Sequence, residues 1–334
     1  VSDGVSLCPK EHLRTFCRPF YTMLKTKIEN RQSGILLYGI TPPKLGHSPE
    51  KLSEIAARQL ERISGLGVDG LVLYDIQDES ARNANPRPFP FIQTEDPLSY
   101  SLEYLSELQI PKIIYRGVGR YSPDTFRQWL NEKCAELEYL VLVGSPSKEA
   151  VAGLSLADAY QLKSELNNPV LLGGVTIPER HSKRADEHLR VISKTMAGCR
   201  FFISQCVYNV DNAKRFLTDY CELLSKTKEE PVPVVFTVTP CGSLKTLQFM
   251  EWLGIEIPDW LRNELSTSED MLSRSVSACE EIIDELVSFS TDLCVPVGFN
   301  VESVAIRRDE IEASLQLVRY VAKKWESTAT PADA

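Results

Sequence analysis

The chain has 334 residues, 43% of them hydrophobic and 25% charged, which is the composition of a globular protein able to bury a large core. Its formal net charge of -9 excludes the broad basic face of a nucleic-acid binder, although a local basic pocket for an anionic ligand is compatible with it. There is no apolar run of about 18 residues and no signal-peptide pattern, and the nine cysteines form no CxxC pair, so a cytoplasmic chain with reduced thiols and no membrane span is expected.

Residues 1–33 read as a basic helical extension, with a helix from Glu11 to about Glu29. Gly34–Ile40 is a short apolar run stopped by Thr41-Pro42-Pro43, which predicts a first strand. Ser48-Pro49 opens a helix that runs to about Gly65, because a capping hydroxyl followed by proline suits a first turn. Gly70–Tyr74 is a second strand, and a long polar loop follows from Asp75 to about Asp96. A helix over Pro97–Leu108 leads to a third strand, Lys112–Arg116. Ser122-Pro123 caps the next helix, and Glu138–Val143 is strand four.

Ser155–Leu166 reads as a helix and Pro169–Leu172 as strand five. Pro178-Glu179-Arg180-His181 reads as a polar loop before a helix that ends at Ala197. Arg200–Ser204 is strand six, Asp211–Ser225 a helix, and Val232–Val238 strand seven. Two or more helices fill Ser243–Phe289. Cys294–Val301 is strand eight, and Asp309–Trp325 is the closing helix. Eight short strands alternate with helices, and most are continuous apolar runs, as in a parallel sheet covered on both faces. The expected fold is α/β: a (βα)8 TIM barrel over 34–327, with extra helices between strands seven and eight and a flexible tail over 328–334.

In such barrels chemistry sits in the loops after the strands. The polar residues there include Tyr74, Asp75, Ser145, Glu179, His181, Gln205, Asn300 and Glu302. Each also has a structural reading. His181 would cap a helix, Gln205 would bond a loop carbonyl, Asp75 would cap a loop, and Glu302 would pair with Arg307 or Arg308. Arg190 and Lys194, on one helix face near Glu187, are either a solvated salt-bridged face or a clamp for a cofactor phosphate. Gly117-Val118-Gly119 begins a near match to a phosphate loop but lacks its last glycine, so a simple turn is the expectation. The four histidines have no cysteine partners at zinc spacing, and no metal site is expected.

Pro178-Glu179-Arg180-His181, Lys194-Thr195-Met196-Ala197-Gly198 and Phe202-Ile203-Ser204-Gln205 together resemble the methylenetetrahydrofolate reductase family. Pro42-Pro43, Asp69-Gly70, Thr239-Pro240 and Ile257-Pro258-Asp259-Trp260-Leu261 extend the likeness over roughly residues 34–325. The resemblance implies a flavin that passes hydride from NAD(P)H to a one-carbon tetrahydrofolate. It places His181, Glu187, Arg190 and Lys194 on the flavin's ribityl and phosphate groups. Ile177 stands where the family has an aromatic over the flavin ring.

Gln205 and Phe249 match residues that contact the folate. Ser145 replaces an aspartate at the strand-four exit. Arg307 lies close to the position of a folate-binding arginine, which is Val304 here. The family's catalytic glutamate, three residues before the Pro-Pro pair, is Gly39. Glycine cannot donate a proton, so Glu302, Asp75 and Tyr74 become the candidates for that role. The resemblance therefore implies a diverged oxidoreductase using NAD(P)H, with FAD if the clamp is used. The alternatives are a folate- or flavin-binding homologue that regulates a partner, and a folate-dependent one-carbon transferase or demethylase. A homo-oligomer is compatible with each.

Overall fold

The computed structural model describes residues 19–80, 84–145, 153–166, 168–293 and 295–329. Eight parallel strands close on themselves in sequence order: β1 (Ile35–Ile40), β2 (Gly70–Leu73), β3 (Lys112–Gly117), β4 (Tyr139–Val143), β5 (Leu171–Thr176), β6 (Cys199–Cys206), β7 (Val234–Val238) and β8 (Val297–Glu302). The expected (βα)8 barrel is the observed fold.

Two apolar layers hold the barrel. Inside, Leu37, Val72, Ile113, Tyr139, Val141, Phe201, Ile203 and Val235 interdigitate as one buried cluster. Outside, the alternate strand residues pack against the helices in a larger cluster. Strand side chains alternate between faces, so each strand supplies both layers and reads as uniformly apolar.

The first helix, α1 (Pro19–Glu29), closes the amino-terminal end of the barrel. Leu24 and Ile28 join the inner cluster. Lys27 Nζ bonds Asp69 at 2.7 Å and the Gly34 carbonyl at 2.8 Å, while Asp69 also accepts the Leu36 N–H. The earlier part of the expected helix, and the segments with Cys8, His12 and Cys17, lie outside the described residues.

The helices α2 (Pro49–Ile63), α3 (Pro97–Tyr104), α4 (Pro123–Lys133) and α5 (Leu156–Glu165) follow the first four strands. Ser48, Asp96, Ser122 and Ser155 cap them through their side chains. The Gly117–Arg120 segment is a short 3-10 turn before the Ser122/Thr125 capping box, as the simple-turn reading anticipated. Later come α8 (Val210–Thr227), three helices between β7 and β8, namely α9 (Leu244–Trp252), α10 (Asp259–Thr267) and α11 (Met271–Leu293), and α12 (Arg308–Ala329).

Three expectations need correction. Strand β5 continues through Gly173 and Gly174 to Thr176. The two glycines are not breakers but clearances: a Cβ on Gly173 would sit 2.5 Å from Phe201 Cζ, and one on Gly174 2.6 Å from Phe202 Cε1. The Pro178–His181 segment is helical, opening α6 (Pro178–Arg184), with proline in its first turn. Ala185, at φ 51, ends it in the left-handed region before α7 (Glu187–Met196). The closing helix also runs past Ser327 to Ala329, and residues 330–334 lie outside the described set.

Candidate active site

The carboxyl end of the barrel gathers a buried polar network. Glu302 ends β8 and pairs in register with Gly39 on β1. The Tyr74 hydroxyl donates to the Glu302 carboxyl and accepts from Asn300 Nδ2 at 2.8 Å. Asn300 Nδ2 also reaches Thr237 Oγ1 at 3.2 Å, and Thr237 Oγ1 donates to the Ser204 carbonyl at 2.7 Å. The network thus crosses β2, β8, β7 and β6 at one level of the barrel.

Burial decides the chemistry of this group. It pushes the Glu302 carboxyl up to about 7, and the hydrogen bond from Tyr74 offsets only part of that rise. Tyr74 is held well above its ordinary value by burial and by the Glu302 charge, so it stays a neutral donor. Glu302 forms no ion pair with Arg307 or Arg308, whose side chains are exposed. A carboxyl that is half protonated near neutrality suits general acid catalysis.

Gly39 is the partner of this arrangement. A Cβ there would meet Tyr74 Cε2 and the Tyr74 hydroxyl oxygen, both at 2.9 Å, and Glu302 Cβ at 3.2 Å. The space beside position 39 is filled by the Tyr74 ring and the start of the Glu302 side chain.

The other candidates fall into distinct places. Asp75 accepts the Gly117 N–H at 2.8 Å and pairs with Arg120, so it fixes the β3 exit. Gln205 follows its loop-carbonyl reading, with Nε2 on the Leu253 carbonyl at 2.9 Å. Ser145 stands against Gly119, where a Cβ would come 3.1 Å from Ser145 Cβ. Arg307 lies on a separate cavity of about 350 Å³ shared with Met271, Asp309 and Glu310. Phe249 on α9 is buried and forms an aromatic wall with Phe89 at 5.2 Å and Trp252 at 6.1 Å.

Sequence reasoning missed Arg87. The loop after β2 folds onto α9, where the Arg87 guanidinium lies 4.8 Å from the Phe249 ring centre and 5.5 Å from that of Trp252. Trp252 Nε1 bonds the Asn85 carbonyl at 2.9 Å, and an antiparallel bridge between Lys44 and Thr94 joins the loops after β1 and β2. An arginine in a long polar loop carries no periodic signal that would single it out. Glu179 was noticed but not assigned: it is buried with neither carboxyl oxygen hydrogen-bonded, and burial pushes it up to about 8.

The residues that the resemblance assigns to a flavin are engaged with one another. Glu187 is fully buried; it accepts the Ile177 N–H at 2.9 Å and bonds Arg180 at 3.1 Å. Arg190 bonds Asp186 at 3.1 Å, and Lys194 Nζ, lowered by burial, donates to the Val175 carbonyl at 2.5 Å. His181 turns to α8, with Nε2 at 2.9 Å from Asp219. The cations and donors that would hold a flavin's phosphates are spent on internal carboxylates and carbonyls, so this donor set does not fit the group.

Comparisons with known proteins decide the family. The model for methylenetetrahydrofolate reductase matches residues 156–293, a segment that carries the Pro178–His181 motif, Gln205 and Phe249. A solved structure from Clostridium thermocellum, described as an uncharacterized protein that binds two copies of 5-methyl-5,6,7,8-tetrahydrofolic acid, is 49% identical. The match covers 90% of this chain and 99% of that one, with a TM-score of 0.80. The chain belongs to the methylenetetrahydrofolate reductase family. A Xanthomonas albilineans dihydropteroate synthase with 4-aminobenzoic acid is 12% identical, covering 91% of this chain and 98% of that one at a TM-score of 0.43. A 2,3-dimethylmalate lyase is 11% identical, covering 92% and 98% at 0.40, and neither score bears on function. No curated protein matches the chain. Among the described residues no helix is long and apolar enough to cross a membrane.

Proposed function

We propose that this methylenetetrahydrofolate reductase family member binds a reduced one-carbon folate in the mouth of its barrel and acts on it as an oxidoreductase whose proton donor is Glu302. The observation that carries the reading is the place of Glu302 at the end of β8, in register with Gly39 and hydrogen-bonded by Tyr74, where desolvation raises its carboxyl to about 7. The 49% identical relative, which binds 5-methyl-tetrahydrofolate, supports the ligand class.

Glu302 would protonate N10 of 5,10-methylene-tetrahydrofolate. That breaks the N10–methylene bond and leaves an iminium on N5. NAD(P)H, as second substrate, supplies the hydride that completes the 5-methyl product. Tyr74 keeps its proton and returns Glu302 to hydrogen-bonded register, while Asn300 orients Tyr74. Phe249 would stack on a planar ring and Gln205 would bond its edge. No step is routed through a flavin.

A second reading is favoured by the internally paired clamp of Glu187, Arg190 and Lys194. In it the protein binds folate or passes on its one-carbon unit, and no hydride moves. One experiment separates the two. Purified protein is incubated with 5,10-methylene-tetrahydrofolate and NADH or NADPH, and the folate is weighed by mass spectrometry. A 5-methyl product with matching nicotinamide oxidation is expected. Folate binding without oxidation would pass the function to the second reading, and no binding of either folate would overturn both.

A further inference from the structure

Outside the Glu302 network, two histidines and an aspartate converge from three helices. His181 comes from α6, His188 from α7 and Asp219 from α8. Each offers one ligand atom, and the three atoms lie within 4.8 Å of one another. The two imidazole rings stand edge to face with centres 5.2 Å apart, and Phe216 packs on His181 at 6.1 Å. His181 Nε2 and Asp219 Oδ2 are 2.9 Å apart.

We infer that His181, His188 and Asp219 form a binding site for a divalent transition-metal ion. Neighbouring ligand atoms on one such ion, with bonds of about 2.0–2.1 Å, stand about 3 Å apart, which the His181–Asp219 pair already matches. His188 must close by roughly 1 Å, and its side chain and that of Asp219 are only half-buried and free to do so.

A second observation points to a ligand. His181 is 4% exposed, yet its Nδ1 has no hydrogen-bond partner, and neither does the buried Nδ1 of His188. Two buried ring nitrogens without hydrogen-bond partners are unusual in a packed interface.

The site is not sealed. A cavity of about 560 Å³ opens on His181 and Asp219, and Ser182, Asp211, Lys214, Arg215 and Thr218 are among the residues that line the rest. Lys214 is already paired with Glu285, which leaves Arg215 to favour an anionic or water co-ligand at the open coordination position. Two imidazoles, one carboxylate and an exchangeable position suit Zn²⁺ or Fe²⁺ and disfavour Mg²⁺ and Ca²⁺, which take oxygen ligands. The sequence hid this set because it offers no cysteine and because Asp219 lies 38 residues beyond His181.

The test uses the full-length protein after EDTA treatment, with Zn²⁺ and Co²⁺ as probes. Zn²⁺ competition against a chromophoric chelator is expected to show one site per chain. Co²⁺ is expected to give visible d–d bands that Zn²⁺ abolishes. His188→Gln and Asp219→Asn each should weaken Zn²⁺ at least 100-fold, with unchanged circular dichroism. Equal binding by both variants, or no Co²⁺ bands in the parent protein, would overturn the assignment. Neither outcome depends on the folate reading, since Glu302 and Tyr74 are untouched.

Discussion

Gly39 and Glu302 face each other in register on β1 and β8, with 3.2 Å between Glu302 Cβ and the place a Cβ would take on Gly39. The resemblance implies a catalytic acid at position 39. Position 39 is glycine, and the neighbouring strand presents a carboxyl at the same level of the barrel. A side chain on β1 and the Tyr74–Glu302 pair exclude each other sterically, so the glycine and the new acid belong to one arrangement.

The first prediction follows from the acid itself. A proton donor whose pKa is about 7 is increasingly ionised above that pH, so kcat/KM for the folate should fall on an alkaline limb centred near 7. Glu302→Gln keeps the shape and the hydrogen bond from Tyr74 but has no proton to give. Turnover should drop by about 10²–10⁴-fold and the limb should vanish, while folate binding by fluorescence titration persists. An unchanged limb in the variant would assign the acid elsewhere.

Gly39→Ala tests the steric half of the pair. The added methyl would press on Tyr74 at 2.9 Å, and neither the ring nor the β8 backbone can withdraw far inside a closed barrel. Overpacking of this kind typically costs about 1–3 kcal/mol. Denaturant unfolding should show that loss, and the alkaline limb should move as the Tyr74–Glu302 hydrogen bond is distorted. If the variant is as stable as the parent, the site is looser than the distances imply.

Much of this was legible in the chain because barrel strands are short apolar runs bounded by caps. Ser48-Pro49 and Ser122-Pro123 marked helix starts that the structure keeps. The expected strand five stops at Leu172, short of Gly173-Gly174, because that glycine pair carries little strand signal of its own. Its actual purpose, clearing Phe201 and Phe202 one strand over, is visible only in the packing. Glu302 and Tyr74 could each be named from their places at strand ends. Their union through Asn300, 226 residues from Tyr74, is a product of strand register that no local pattern encodes.

Glu179 yields a prediction about stability. Its carboxyl is buried without a hydrogen-bond partner, and burial raises it to about 8 from an ordinary 4.5. Because the folded value is the higher one, its favourable contribution is full below about 4.5 and is lost as pH rises through 8. The parent protein should therefore lose stability relative to Glu179→Gln between pH 5 and pH 9. Thermal melts of the two proteins across that range should diverge by a few degrees, with the variant ahead at the alkaline end. Parallel curves would mean that the carboxyl finds a partner in solution.

The last prediction concerns the roof of the mouth. Arg87 holds the β2 loop to α9 by lying over Phe249 and Trp252, and within the loop it donates Nη1 to the Phe89 carbonyl at 2.5 Å. Trp252 reinforces this through the Asn85 carbonyl. A guanidinium over aromatic faces contributes about 0.5–2 kcal/mol depending on its desolvation, which is enough to keep the loop docked but not enough to lock it. Arg87→Ala should release the loop from the Phe249 wall and weaken folate binding by about 5- to 30-fold, with altered tryptophan fluorescence. Because Arg87 does not touch Glu302, the alkaline limb near 7 should stay where it is. A loss of affinity with an unmoved limb places Arg87 in binding and Glu302 in chemistry. A shifted limb would instead tie the loop to the acid, and the two functions of the mouth could no longer be treated as separable.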